Sequence, residues 1–211
     1  MTIWPIVEGD GEIGSVPILL RRLAQQAGLY ELLVGKPMKR HRTDLAREGP
    51  LRNAVRVARL KPDCSAILIL FDSDSECPAD LGPQVQAWAR DEARGVPCAV
   101  VLPKSEFEAW FLASIESLRG QRGIRQEAAS HPDPETPRGA KQQVRARMSR
   151  SGTYKSTVDQ PKLTAQFDMA FAYARCRSFR RMIDAFGSLA VGMGHPIAVW
   201  PPEGWEGVAT E

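Results

Sequence analysis

Six consecutive apolar residues, Ala66-Ile-Leu-Ile-Leu-Phe71, run without polar alternation into Asp72-Ser-Asp74. A run of that length with no polar face predicts a strand buried on both sides, as in the middle of a helix-covered parallel sheet. Thr2–Val7 predicts a first strand despite Pro5, since proline is tolerated near a strand start or on an edge. Residues 32–38 predict a second strand and 96–102 a fourth, closed by Pro103. Between them the spacing predicts helices over 16–27, capped by Ser15 and stopped by Gly28, over 50–60, and over 81–93, ended by Gly95. Strands alternating with helices give a Rossmann-like α/β fold, here with a parallel four-stranded sheet flanked by helices.

The pattern changes after Pro103. Ser105 is read as the cap of a helix over 105–113, and 118–137, rich in Gly, Pro and polar residues, as a long loop or poorly ordered insertion. Helical spacing returns over 138–150, 162–174 and 177–185, and 197–200 reads as a last short strand before a Pro-Pro-Glu-Gly tail. The expected layout is an α/β core over 1–115, an insertion and basic helical extension over 116–187, and a short strand and tail over 188–211.

In open α/β sheets ligands bind outside the carboxyl ends of the strands. Glu8 and Glu12 follow the first strand, Asp72 and Asp74 the third, and Glu106 and Glu108 the fourth. In a parallel sheet these loops open on one edge. Period-2 geometry points residues two apart to the same side, which lets Asp72 and Asp74 reach one ion. Converging carboxylates repel unless a cation joins them or some protonate. Oxygen donors suit Mg²⁺ or Mn²⁺. Asp-Ser-Asp after a strand is equally ordinary N-cap and turn chemistry. There is no P-loop, and Gly9-Asp10-Gly11 is read as a partial match to a dinucleotide-binding Gly-x-Gly-x-x-Gly turn.

Charge adds one feature. The net +3 is uneven: residues 104–187 carry 15 Lys and Arg against 9 Asp and Glu, while 1–103 balance at 13 each. A basic half beside an acidic strand edge fits a polyanionic substrate, with Arg138, Lys141, Arg145, Lys155 and Lys162 as phosphate contacts. A solvated helix face fits these residues nearly as well. Lys104 and Lys155 are candidates to stabilise developing negative charge. Phe107, Trp110 and Phe111 read as core. The four scattered cysteines form no CxxC pair, and neither a signal-peptide pattern nor a membrane-length apolar run is present, which points to a cytoplasmic protein with reduced thiols. An oligomer is compatible with the sequence.

Val7-Glu8-Gly9-x-x-Glu12, Asp72-x-Asp74 and Glu106-Phe-Glu-Ala-Trp110 together resemble the TOPRIM fold of topoisomerases, primases and OLD-type nucleases. The chain also resembles small stand-alone TOPRIM-like bacterial proteins found around phage-defence loci, with further likeness at Tyr154-Lys155, Pro161-Lys-Leu163 and Ser178-Phe-Arg180. The resemblance implies that Glu8 is a metal ligand or general acid/base, that Asp72 and Asp74 are Mg²⁺ ligands, and that Glu12 fills a second acidic position. Glu106 or Glu108 would complete the shell, with Glu106, nearer the strand end, favoured. It implies a Mg²⁺-dependent phosphodiesterase acting on DNA or RNA in phage defence. Two alternatives are a weakly active nucleic-acid or nucleotide sensor partnering a separately encoded ATPase, and a small-molecule phosphoryl-transfer enzyme. The chain lacks a topoisomerase tyrosine domain, a primase zinc module and an ATPase domain, which argues against those complete activities.

Overall fold

Proline has no backbone N–H, and one proline decides how this sheet is assembled. In the computed structural model, which describes residues 1–136, 139–149 and 153–207, β1 (Thr2–Val7) pairs in parallel with β4 (Cys64–Leu70) along its whole length. On its other side β1 meets β2 (Leu33–Val34) at Thr2 and Ile3, and β3 (Met38–Lys39) at Ile6 and Val7. The carbonyls of Met1, Ile3 and Val7 accept from Leu33, Gly35 and Arg40, so the odd positions face this side. Pro5 stands at the gap and has no donor to offer a continuous partner. The single strand expected over 32–38 is therefore two short ones. With β5 (Cys98–Val101) beyond β4, the sheet has five strands along the path β2-β1-β4-β5, with β3 also on β1.

The alternation within β4 explains its unbroken apolar sequence. Ala66, Leu68 and Leu70 enter one core, and Ile67, Ile69 and then Phe71 enter the other. Full burial of a Leu or Ile is worth roughly 1.5–3 kcal/mol, so this strand anchors both layers. Helices α3 (Glu48–Arg59) and α4 (Pro78–Ala93) cover the second face, with α2 (Arg42–Leu45) leading into α3. The first face is covered by α1 (Asp10–Gln26) together with α9 (Arg177–Gly192). The C-terminal part of the chain thus supplies one side of the sheet with Phe179, Met182, Ile183, Phe186 and Leu189.

The remaining elements are α5 (Ala109–Ala113), a 3₁₀ turn at Ile115–Leu118, α6 (Ala140–Ala146), α7 (Ser156–Thr164) and α8 (Met169–Arg175). Several boundaries differ from expectation. Helix α1 begins at Asp10, and Ser15 lies inside it with its hydroxyl donating back to the Gly11 carbonyl at 2.9 Å. Ser105 has φ +64° in the turn before α5 and caps nothing. The helix expected over 162–174 is α7 and α8, broken at Ala165–Asp168, where Asp168 accepts from the Ala170 and Phe171 amides to cap α8. Residues 197–200 form no strand; Trp200 instead donates to the Ile183 carbonyl at 2.8 Å and packs on Phe186.

Residues 119–136 are the long loop expected, without helix or extended strand, and specific contacts tie that loop down. Arg119 donates to the Ala128 carbonyl and the Glu116 carboxylate accepts from the Ser130 amide. Buried Glu135 accepts from the Arg177 and Ser178 amides at 2.9 and 2.8 Å, satisfying orphan donors at the start of α9. Phe107, Trp110, Phe111, Phe167 and Phe179 are all fully buried in mutual ring contact, and Trp110 donates to Ser178 at 2.8 Å. Among the described residues no helix is long and apolar enough to cross a membrane.

Candidate functional site: an acidic pocket at the strand ends

Because β1, β4 and β5 are parallel, the chain leaves all of them on one edge. The loop after β4 continues to follow the loop after β5: Ser73 donates its amide to the Pro103 carbonyl, Asp74 donates to the Ser105 carbonyl, and the Ser105 amide donates to the Ser73 hydroxyl. This zipper brings the acidic segments together. Glu8, Gly9, Asp10, Gly11, Glu12, Asp72, Glu108, Lys141 and Ser156 line one cavity of about 120 Å³. A wider hollow of about 540 Å³ beside α9 has one ionisable residue in its lining, Asp184, and no comparable chemistry.

Four of the five carboxylates lining the pocket are held by neutral donors; the fifth, the exposed Asp10, is paired with the Lys39 ammonium at 2.7 Å. Glu8 accepts from the Asp72 amide at 3.2 Å, and Asp72 accepts from the Phe107 amide at 2.9 Å. Glu12, 8 % exposed, accepts from the Gln160 side-chain amide at 2.8 Å. Glu108, 2 % exposed, accepts from the Tyr154 hydroxyl at 2.9 Å. Each of these bonds is made to one oxygen of its carboxylate.

The electrostatics follow from crowding. Burial raises the Asp72 carboxyl well above its ordinary value, and the charges of Glu12, Glu108, Glu8 and Glu106 push the same way. Burial pushes Glu108 up to about 7 against the opposing pull of Lys141 and the Tyr154 hydrogen bond. Glu8 is raised, again chiefly by burial, with the Asp72 amide opposing and Asp74 and Glu12 reinforcing. Burial and the adjoining Glu108 also raise the Tyr154 phenol, so it stands as a donor.

Two of the expected ligands lie elsewhere. Asp74 does not line the pocket. Its carboxylate pairs with Arg42 at 2.9 Å, and Arg42 also pairs with Glu76 and donates to the Asp72 and Ser73 carbonyls. Strand parity fails here because β4 ends at Leu70 and Asp74 has φ +50°, a left-handed turn that reverses the side chain. Glu106 turns to α6, where it accepts from the Lys141 amide at 2.7 Å, and Glu108 rather than Glu106 reaches the pocket. Of the basic candidates, Lys141 lines the pocket. Lys104, Arg145, Lys155 and Lys162 are exposed and outside its lining, and Arg138 lies outside the described residues.

Sequence reasoning missed Arg42, Tyr154, Ser156 and Gln160. Ser156 and Gln160 are four apart on α7, a spacing that shares a helix face. Pro161 hides it, because a helix is ordinarily read as starting after such a proline.

The glycine turn also reads differently in three dimensions. Gly9, Gly11 and Gly14 complete the Gly-x-Gly-x-x-Gly spacing, a fuller match than the partial one read above. No dinucleotide loop results. A Cβ at Gly9 would collide with the Glu12 carboxylate, one at Gly11 with Gln160 Oε1, and one at Gly14 would come within 2.6 Å of Pro161. Gly11 and Gly14 let α7 press against α1.

Residues 7–186 match the family described as Domain of unknown function (DUF4276). The chain belongs to that family. No curated protein and no solved structure gives a match. The family match runs from the last residue of β1 into α9, so it takes in every carboxylate of the pocket together with Tyr154 and Gln160.

The donor set bears on a cation. It is all oxygen, the type that suits Mg²⁺ or Mn²⁺, and Gln160 Oε1, fully buried beside the Glu12 turn, has no partner. Among the described residues no group of three or more His, Cys, Asp or Glu side chains is placed to hold a metal ion as it stands. What suits a hard cation is the chemistry of the donors.

Proposed function

We propose that this protein binds Mg²⁺ or Mn²⁺ in the acidic pocket and hydrolyses phosphodiester bonds of nucleic acid. The observation that carries the reading is the convergence of Glu8, Glu12, Asp72 and Glu108 on one small cavity at the carboxyl edge of a parallel sheet. Crowding and burial raise the proton affinity of Glu8, Asp72 and Glu108, and such a cluster needs either protons or a cation. Glu8, Glu12, Asp72 and Glu108 would hold the ion. A divalent cation there supplies charge stabilisation to a phosphate and brings the pKa of water toward neutrality.

The chain's own groups do the rest. Lys141 lines the cavity and offers an ammonium to a phosphate oxygen. The exposed cations Lys104, Arg145, Lys155 and Lys162 are candidates for more distant backbone phosphates. The resemblance to TOPRIM-like proteins near phage-defence loci supports the same chemistry and adds defence as the setting.

The test is incubation of the purified protein with single- and double-stranded DNA and RNA, with Mg²⁺, with Mn²⁺ and with chelator. Cleavage is expected with metal, none with chelator, and none from Asp72→Asn. If the wild-type chain takes up no Mn²⁺ by titration, the reading is wrong. If it binds metal and nucleic acid but cleaves neither DNA nor RNA, the sensor reading, with a separately encoded ATPase as partner, takes its place.

A further inference from the structure

Two of the five carboxylates lining the pocket are held by one short segment far away in sequence. Tyr154 donates to Glu108 at 2.9 Å, and Gln160 donates to Glu12 at 2.8 Å across a separation of 148 residues. Ser156, between them, lines the cavity itself. We propose that residues 154–160 are the orienting wall of the cation site, with Tyr154 and Gln160 as positioning residues that fix Glu108 and Glu12 for metal binding. This rests on the cation reading of the pocket given above.

The wall is built to hold its place. Asp159, 2 % exposed, accepts from the Lys155 amide at 2.7 Å, which ties the first turn of α7. Its other oxygen accepts two hydrogen bonds from Arg122, at 2.9 and 2.8 Å. Arg122 sits in a turn that is itself pinned, because the Gly123 carbonyl accepts from the Ser149 amide and the Arg125 amide donates to the Arg147 carbonyl. On the far side α7 packs against α1, the helix that carries Glu12, with Gly11 and Gly14 allowing the close approach.

The chemistry of the donors matters as much as their position. A phenol and a carboxamide neutralise nothing. They orient a carboxylate while leaving its charge for a cation, whereas an Arg or Lys in their place would supply the countercharge itself. Arg42 does the latter to Asp74 on the other side of the loop. Outer partners of this kind set ligand geometry, and their loss typically costs about 10–100-fold in metal affinity. Gln160 has one further property: its Oε1 is fully buried and unpaired beside Gly11, a residue of the pocket lining.

The experiment is Mn²⁺ titration of wild type, Tyr154→Phe, Gln160→Leu and the double variant, alongside thermal melting in chelator. Each single variant should lose roughly 10–100-fold in Mn²⁺ affinity, with the double variant losing more, while the metal-free midpoint moves little. Unchanged affinity in the folded variants overturns the proposal. So does a fall in affinity that only tracks a fall in the metal-free midpoint, which would make the contacts packing alone. If Gln160→Leu does not fold, Tyr154→Phe decides by itself, since it removes one oxygen and keeps the ring. A wild-type protein that binds no Mn²⁺ would instead sink the cation reading, which separates the two failures.

Discussion

The loop after β4 sends two aspartates into opposite worlds. On one side Asp72 joins Glu8, Glu12 and Glu108 around a cavity where neutral donors hold these four carboxylates, while Lys141 lines the cavity and Lys39 pairs with the exposed Asp10. On the other side Asp74, 55 % exposed, is paired with Arg42 together with Glu76. The two residues share a motif, a loop and a chemistry. They differ in what opposes their charge. An acid already answered by a guanidinium is a structural tie. An acid withdrawn from water and answered only by amides and hydroxyls keeps its demand for a cation.

The sharpest way to break this contrast is to neutralise each aspartate in turn. Asp72→Asn should abolish Mn²⁺ binding, whereas Asp74→Asn should keep the affinity within about threefold, roughly 0.7 kcal/mol. With metal at a hundredfold over Kd the wild type gains about 2.7 kcal/mol, a rise in Tm of about 5–10 °C for a chain of this size. Titration and melting in Mn²⁺ read both. Equal loss in the two variants would return Asp74 to the site and end the distinction.

The second test is the pH dependence of metal-free stability. Glu108 is pushed up to about 7, and Glu8 and Asp72 are raised as well. The folded chain then holds protons that the unfolded chain releases. This contribution is fully present below the ordinary carboxylate range and is lost as pH climbs through the folded values. Glu116 and Asp133, whose carboxyls are lowered, act with the opposite sign, but at the acid end of the scale. From about pH 4.5 to about 7 the midpoint in chelator should fall by several degrees. Glu108→Gln should flatten that fall, and saturating Mn²⁺ should remove most of it. A midpoint that rises with pH across this window would contradict the account.

How much of this could be read from the chain is clearest at the same loop. The run 66–71 was legible as a strand buried on both faces because its six apolar residues are bounded by turn residues and lie between helical segments, and the sheet and the acidic edge follow from it. The side-chain directions beyond Leu70 do not follow. Period-2 alternation belongs to the ladder, and once the ladder stops a single left-handed residue can reverse it, as Asp74 does. Glu106 and Glu108 raise the same difficulty, because the helix after β5 starts late, at Ala109. The wall from α7 was hidden by distance: nothing local in Gln160 announces a partner 148 residues away. Pro5 was legible as a difficulty for a strand but not as the cause of a split neighbour, which requires knowing which way its missing N–H points.

Removing the countercharge tests the paired side. Arg42→Ala would leave Asp74 and Glu76 unanswered and the Asp72 and Ser73 carbonyls without their donor. Loss of a partly buried charged network of this size should cost about 1–3 kcal/mol, seen in denaturant melts in chelator. Mn²⁺ affinity should change far less than in Asp72→Asn. A large gain in affinity would mean that Arg42 restrains an aspartate belonging to the cation site.

The smallest effects belong to the exposed cations, which neither side of the contrast needs for its fold. Lys104, Arg145 and Lys162 are exposed and stand outside the pocket lining. Each change to Ala should leave stability within about 0.5 kcal/mol and Mn²⁺ affinity unchanged. If these groups meet a nucleic-acid backbone, each loss should lower affinity for every sequence alike and reduce the slope of log K against log salt by about one. Lys141 should behave otherwise, because it lies among the carboxylates: Lys141→Ala removes a positive charge that competes with metal, so Mn²⁺ affinity should rise modestly while cleavage falls. Binding at two salt concentrations, with Mn²⁺ titration on the same variants, separates the two kinds of cation. A Lys141 variant that behaves like Lys104→Ala in both assays would show that its ammonium serves the surface and not the pocket.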